Sequence, residues 1–90
     1  MHILITGGAG FIGSTLCNFL LKQGEFIICL DNFDTFYPAT VKHRNLEDIK
    51  DHERFVLVEG DINDTELLSQ VFTSYKIDLV IHLAQLTQFS

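Results

Sequence analysis

Positive charge is scarce in this sequence: 6 Lys and Arg stand against 12 Asp and Glu, for a formal net charge of −6. The basic residues are scattered, so there is no stripe or patch to engage nucleic acid. Long apolar runs are missing too, and none approaches the roughly 18 residues of a membrane span. The only two cysteines, Cys17 and Cys29, have neither metal-site nor redox spacing, and their apolar surroundings read as core. The four histidines, His2, His43, His52 and His82, fit no ligand set, so no metal is expected. There is no Gly-Lys-Ser/Thr phosphate loop, which disfavours an ATPase or GTPase. No repeat or low-complexity segment is visible. The chain opens on an apolar run with neither a basic n-region nor a cleavage site, so a cytoplasmic location is expected.

What is present is ordinary for a soluble α/β domain: 47% apolar and 20% charged residues in a chain of 90. That length makes one small domain. The informative segment comes first. A short apolar strand over residues 2–6 runs straight into Gly7-x-x-Gly10-x-x-Gly13, and a helical pattern follows at once. Such a turn between strand and helix suits a phosphate. Gly7 permits the tight turn, Gly10 has no Cβ to hold a pyrophosphate away from the backbone, and Gly13 lets the helix press on the sheet. The positive end of the helix then faces the anion. Glycine triplets also occur in purely structural turns. Here an acidic residue, Asp31, ends the next apolar run, where a carboxylate can accept both hydroxyls of an adenosine ribose.

Along the chain, a helix is expected over residues 11–23 with Ile12, Leu16, Phe19 and Leu20 on its inner face and Gly24 ending it. Residues 26–30 are apolar throughout, as in a parallel strand covered on both faces. A loop rich in aromatics, residues 31–38, precedes a polar helix over residues 39–50 with Val41, Leu46 and Ile49 inward. A third strand covers residues 55–59. Asn63 or Asp64 then caps a helix running to about Ser74, with Leu67, Leu68, Val71 and Phe72 inward. Residues 77–83 form a fourth strand. This alternation implies a parallel α/β sheet of four strands in the order 3-2-1-4, a Rossmann-like fold with helices on both faces and fewer strands than the full doubly wound form. The fourth strand would then lie at an edge, yet it lacks the charges, proline or bulge that protect edges. That motivates an expectation of self-association through residues 79–83.

The order and spacing of Thr6-Gly-Gly-Ala-Gly-Phe-Ile-Gly-Ser14, Asp31-Asn32, Gly60-Asp61-Ile62 and Ile81-His-Leu-Ala84 resemble the extended short-chain dehydrogenase/reductases, also called the NAD-dependent epimerase/dehydratase family. The loop over residues 31–38, with Lys42 and Asn45, is most similar to that of nucleotide-sugar 4-epimerases, UDP-glucuronate epimerases among them. The resemblance implies NAD as cofactor and a role for each matched position. Gly7, Gly10 and Gly13 would form the pyrophosphate turn, with N–H groups from Phe11 and Ile12. Asp31 would bind the adenosine ribose, with Asn32 beside it. Asp61 and Ile62 would face the adenine, and Leu83 and Ala84 would line the passage to the nicotinamide ribose. Asp61 can equally be read as a turn or capping aspartate, and Leu83 and Ala84 as core. The Asp31 carboxylate would repel a 2′-phosphate, which favours NAD over NADP.

Two departures bear on activity. After Ala84 the chain reads Gln85-Leu-Thr-Gln-Phe-Ser90, shorter than the stretch that the resemblance implies beside the nicotinamide. The family's catalytic Tyr-x-x-x-Lys is not matched, because Val41 and Leu79 stand four residues after Tyr37 and Tyr75. No catalytic residue is therefore assigned. The 90 residues are read as one partial cofactor-binding domain without a substrate domain, inactive alone. The alternatives are a non-catalytic module that binds NAD or self-assembles, and a decayed fold that binds nothing. Phe33, Phe36 and Tyr37 could stack on adenine or pack their own loop.

Overall fold

The computed structural model describes residues 1–7, 9–32 and 43–83. Isoleucine-rich β1 (His2–Thr6) has four buried residues in succession, and β2 (Phe26–Asp31) has five. Neither alternates, because helices and turns cover both faces. β3 (Phe55–Glu59) pairs with β2, and β4 (Leu79–His82) with β1, all in parallel, in the order β3-β2-β1-β4. The expected order and fold are those observed. The register sets Ile3, Leu4, Ile5 and Thr6 of β1 between Ile27 to Leu30 on one side and Leu79 to His82 on the other.

Among the described residues, two helices flank the sheet. α1 (Phe11–Lys22) packs on the face formed by Ile3, Ile5, Ile27 and Cys29. α2 (Thr65–Ser74) contributes Val71 to the cluster with Leu4, Ile28 and Leu30. α1 ends in a glycine stop, as expected. Gly24 has φ of +89°, its N–H donates to the Leu21 carbonyl, and the Glu25 N–H donates to the Leu20 carbonyl, the paired closure of a Schellman motif.

The inner faces differ in part from expectation. Ile12 and Phe19 point outward, and α1 instead buries Gly13, Ser14, Cys17 and Leu21, with Leu16 and Leu20 partly covered. Small residues at 13, 14 and 17 bring the helix close to the sheet, so its contact stripe follows size as much as hydropathy. Phe72 is likewise exposed, while Leu67, Leu68 and Val71 face the core.

The expected helix over residues 39–50 is not continuous in its described part. Its described part is helical at residues 43–45, and the chain continues in successive turns closed by Leu46 N–H to His43 O, Glu47 N–H to Arg44 O and Ile49 N–H to Leu46 O. Leu46 and Ile49 are nonetheless buried as expected, while residues 33–42, Val41 among them, lie outside the described residues. β4 is shorter than expected, yet its ends continue the contact with β1. The Asp78 N–H donates to His2 O, and the Leu83 N–H to Thr6 O. Leu79 and Val80 stand 45% and 47% exposed on this edge.

Candidate functional site

In the order β3-β2-β1-β4 the direction of winding reverses between β1 and β4. In open parallel sheets, ligands enter at the carboxyl ends of the strands at such a reversal. Gly7 leaves β1 there with φ of +77°, a left-handed conformation that strains any residue with a Cβ. Its N–H donates to Leu30 O at 2.8 Å, adding one rung between β1 and β2 before the chain turns away. The Gly10 N–H closes the turn on Gly7 O at 3.2 Å, and the Ser14 N–H starts α1 by donating to Gly10 O at 2.8 Å.

Gly10 is glycine for a different reason than Gly7. Its φ of −70° and ψ of 173° suit any residue, and a Cβ there would meet nothing nearer than the Gly7 carbonyl oxygen at 3.5 Å. Neither the backbone nor packing among the described residues demands glycine. A Cβ at this position would instead occupy space at the mouth of the helix. The N–H groups of Phe11, Ile12 and Gly13 precede the first helical bond. Among the described residues no side chain caps them, and the first turn carries no acid. Phe11 and Ile12 are each 67% exposed, whereas Gly13 lies on the buried side. α2 is built differently: the Asp64 carboxylate accepts the Leu67 N–H at 3.1 Å, and Glu66 sits in its first turn. The α1 terminus is therefore suited to an external anion.

Asp31, the last residue of β2, is only 4% exposed. Its Oδ2 accepts the Ala9 N–H at 3.1 Å, so the carboxylate supports the glycine turn from below. Asn32 follows at the surface. The Gly60 N–H donates to Asp31 O at 3.1 Å, joining the ends of β2 and β3. Asp61 is exposed and shapes its own turn, since its Oδ1 accepts the Asn63 N–H at 2.8 Å and its carbonyl accepts the Asp64 N–H. Ile62 beside it is half-buried. Leu83 packs against the core on the α1 side, and Ala84 lies outside the described residues, as do Phe33, Phe36 and Tyr37.

Four contributors were not legible in the sequence as parts of this site. The Asn45 side chain donates from Nδ2 to Ala9 O at 3.1 Å; its spacing gives no hint of that partner. Gly60 makes room for Leu67, since a Cβ there would overlap the tip of the Leu67 side chain and turn it aside. The Gly60-Asp61 pair signals the turn but not this packing. Thr6 and His82 join their side chains, Oγ1 to Nδ1, across the ends of β1 and β4. The other histidines serve separate places: His2 stacks on Phe26, His52 accepts the Arg54 N–H, and His43 lies 3.9 Å from Glu59. Among the described residues no group of three His, Cys, Asp or Glu could hold a metal ion. No helix among them is long and apolar enough to cross a membrane.

Comparison with known proteins extends this geometry. The UDP-glucuronate 4-epimerase of Thermodesulfobacterium geofontis is 40% identical over 83 residues, which is 92% of this chain and 26% of that protein. The crystal structure of UDP-glucuronic acid 4-epimerase from Bacillus cereus, in complex with UDP-glucuronic acid and NAD, superposes with a TM-score of 0.83 and 42% identity over 92% of this chain and 26% of that one. The dTDP-glucose 4,6-dehydratase from Bacillus anthracis, in complex with NAD, gives 0.82 and 33% over the same shares. The chain thus spans about a quarter of the length of these relatives and aligns with their N-terminal nucleotide-binding region. Residues 4–88 match the family profile described as GDP-mannose 4,6 dehydratase, and the chain belongs to that family of nucleotide-sugar epimerases and dehydratases.

Proposed function

We propose that this chain binds NAD as the cofactor-holding portion of a nucleotide-sugar epimerase or dehydratase. The observation that carries the reading is the uncapped N-terminus of α1, reached through a glycine turn and flanked by the buried Asp31 carboxylate. In this reading Gly7, Gly10 and Gly13 form the pyrophosphate turn, and the N–H groups of Phe11 and Ile12 receive its oxygens. Asp31 accepts the adenosine ribose hydroxyls with Asn32 beside it. Asp61 and the Ile62 backbone face the adenine, while Leu83 and Ala84 flank the path to the nicotinamide. The NAD complexes of two structural relatives support the choice of cofactor.

Bound NAD would supply hydride transfer to and from a sugar carbon. The residues of this chain would bind and orient it, and the reading assigns none of them to proton transfer. A tyrosine held near a lysine has its pKa lowered and can act as a base; Tyr37 and Tyr75 have no lysine four residues on. The 90 residues alone are therefore expected to bind cofactor without turnover of UDP-glucuronate or UDP-glucose.

Calorimetric titration tests the cofactor. NAD is expected to bind with one site per chain, and NADP more weakly by on the order of tenfold, because its 2′-phosphate would meet the Asp31 carboxylate. Equal affinity for the two, or none for either in a folded chain, would end the reading. Leu79 and Val80, half-exposed on the β4 edge, favour a second reading in which the chain also pairs with a copy of itself through that edge.

A further inference from the structure

Ala9 lies in the middle of the glycine turn, fully buried, with its methyl in the core cluster beneath α1. A buried peptide group must find hydrogen-bond partners, and both of Ala9's come from distant parts of the chain. Its N–H donates to Asp31 Oδ2 at 3.1 Å, and its carbonyl accepts from Asn45 Nδ2 at 3.1 Å. The turn is thus held from both sides, by the end of β2 and by the helical turn at residues 43–45. The second support is itself anchored, since Leu46 and Ile49 just beyond it are buried in the same cluster as Ala9.

We infer that Asn45 is a positioning residue for the phosphate turn. By holding the Ala9 carbonyl it fixes the peptide that leads into Gly10, and so the direction in which the N–H groups of residues 11–13 point. The clamp is a property of the protein alone; its consequence for cofactor binding rests on the NAD reading above. The arrangement also gives Asp31 two duties. One carboxylate oxygen supports the turn while the group faces the ribose site, so replacing Asp31 would disturb ribose and phosphate recognition together. Replacing Asn45 disturbs the turn alone, which makes it the cleaner probe.

The test uses the full chain carrying Asn45→Ala or the isosteric Asn45→Asp, which loses the donor, with exposed Arg44→Ala as control. Amide exchange in the cofactor-free protein reads the clamp, and titrations with NAD and with adenosine read its consequence. Both Asn45 variants are expected to speed exchange at Ala9, Gly10 and Ser14, whose N–H groups are bonded in the turn, by about 3- to 10-fold and to weaken NAD by a similar factor, with adenosine changed less than about 2-fold. The amides of β1 and β2 are expected to keep their protection, and Arg44→Ala to match the parent throughout. Unchanged exchange at Ala9, Gly10 and Ser14, or an equal loss across the strands, would overturn the inference. Faster exchange in the turn, in a parent chain that binds no NAD, would sustain the clamp and overturn the NAD reading instead.

Discussion

Gly10→Ala and Gly60→Ala add the same methyl group and are expected to do opposite things. At position 10 the backbone is ordinary, with φ of −70°, and the nearest atom to the new Cβ is a carbonyl oxygen at 3.5 Å. Restricting the unfolded chain there gains about 0.4–1 kcal/mol, and placing alanine rather than glycine at the helix N-cap loses a comparable amount, roughly 0.5–1 kcal/mol. Stability should therefore change by less than about 0.5 kcal/mol. The methyl would, however, stand where the pyrophosphate approaches. Losing one charge-assisted bond from the helix terminus, about 1.5 kcal/mol or more, weakens NAD about tenfold or more. At position 60 the methyl overlaps the Leu67 side chain. Leu67 packs with Val71 against the sheet, so turning its tip aside costs about 1 kcal/mol, or roughly 4–8 °C in Tm for a domain of this size. Thermal unfolding and calorimetric titration of both variants separate the effects. A destabilised Gly10→Ala, or one with full NAD affinity, would refute the assignment of Gly10 to the ligand rather than to the fold.

Three further outcomes are expected. Gly24→Ala forces a side chain to φ of +89° with nothing within 4 Å to clash, so its cost is backbone strain alone, about 1–2 kcal/mol by denaturant titration. Asp64→Ala removes the acceptor of the Leu67 N–H and should cost about 1 kcal/mol, leaving NAD affinity in the folded protein unchanged. Val80→Lys places a charge on the exposed β4 edge. Sedimentation should show the parent associating with rising concentration and the variant remaining monomeric, and a strictly monomeric parent would dispose of edge pairing.

The strands and their order were legible because uninterrupted apolar runs such as Phe26-Ile-Ile-Cys-Leu permit little besides a parallel strand covered on both faces. Gly24 and Asp64 marked helix ends through chemistry confined to a few neighbouring residues. The inner stripe of α1 was misread because Gly13, Ser14 and Cys17 carry it, and closeness of approach is invisible to hydropathy. The segment after residue 42 was misread as one helix because buried Leu46 and Ile49 have helical spacing, which successive short turns also provide. The glycine turn and the place of Asp31 at the end of β2 were readable, being set by local conformation and strand ends. Asn45 on Ala9 and Thr6 on His82 were not, because those contacts join segments 36 and 76 residues apart. Asp61 was readable in both of its senses, and the structure displays the turn.

The mouth of α1 is proposed to receive the pyrophosphate of NAD. Titrating NAD into the isotopically labelled chain and following backbone amide resonances tests it most directly. The largest shifts are expected at Gly10, Phe11, Ile12 and Gly13, with a second group at Asp31, Asn32, Asp61 and Ile62. Shifts centred elsewhere, or a well-dispersed spectrum that NAD leaves unchanged, would contradict it.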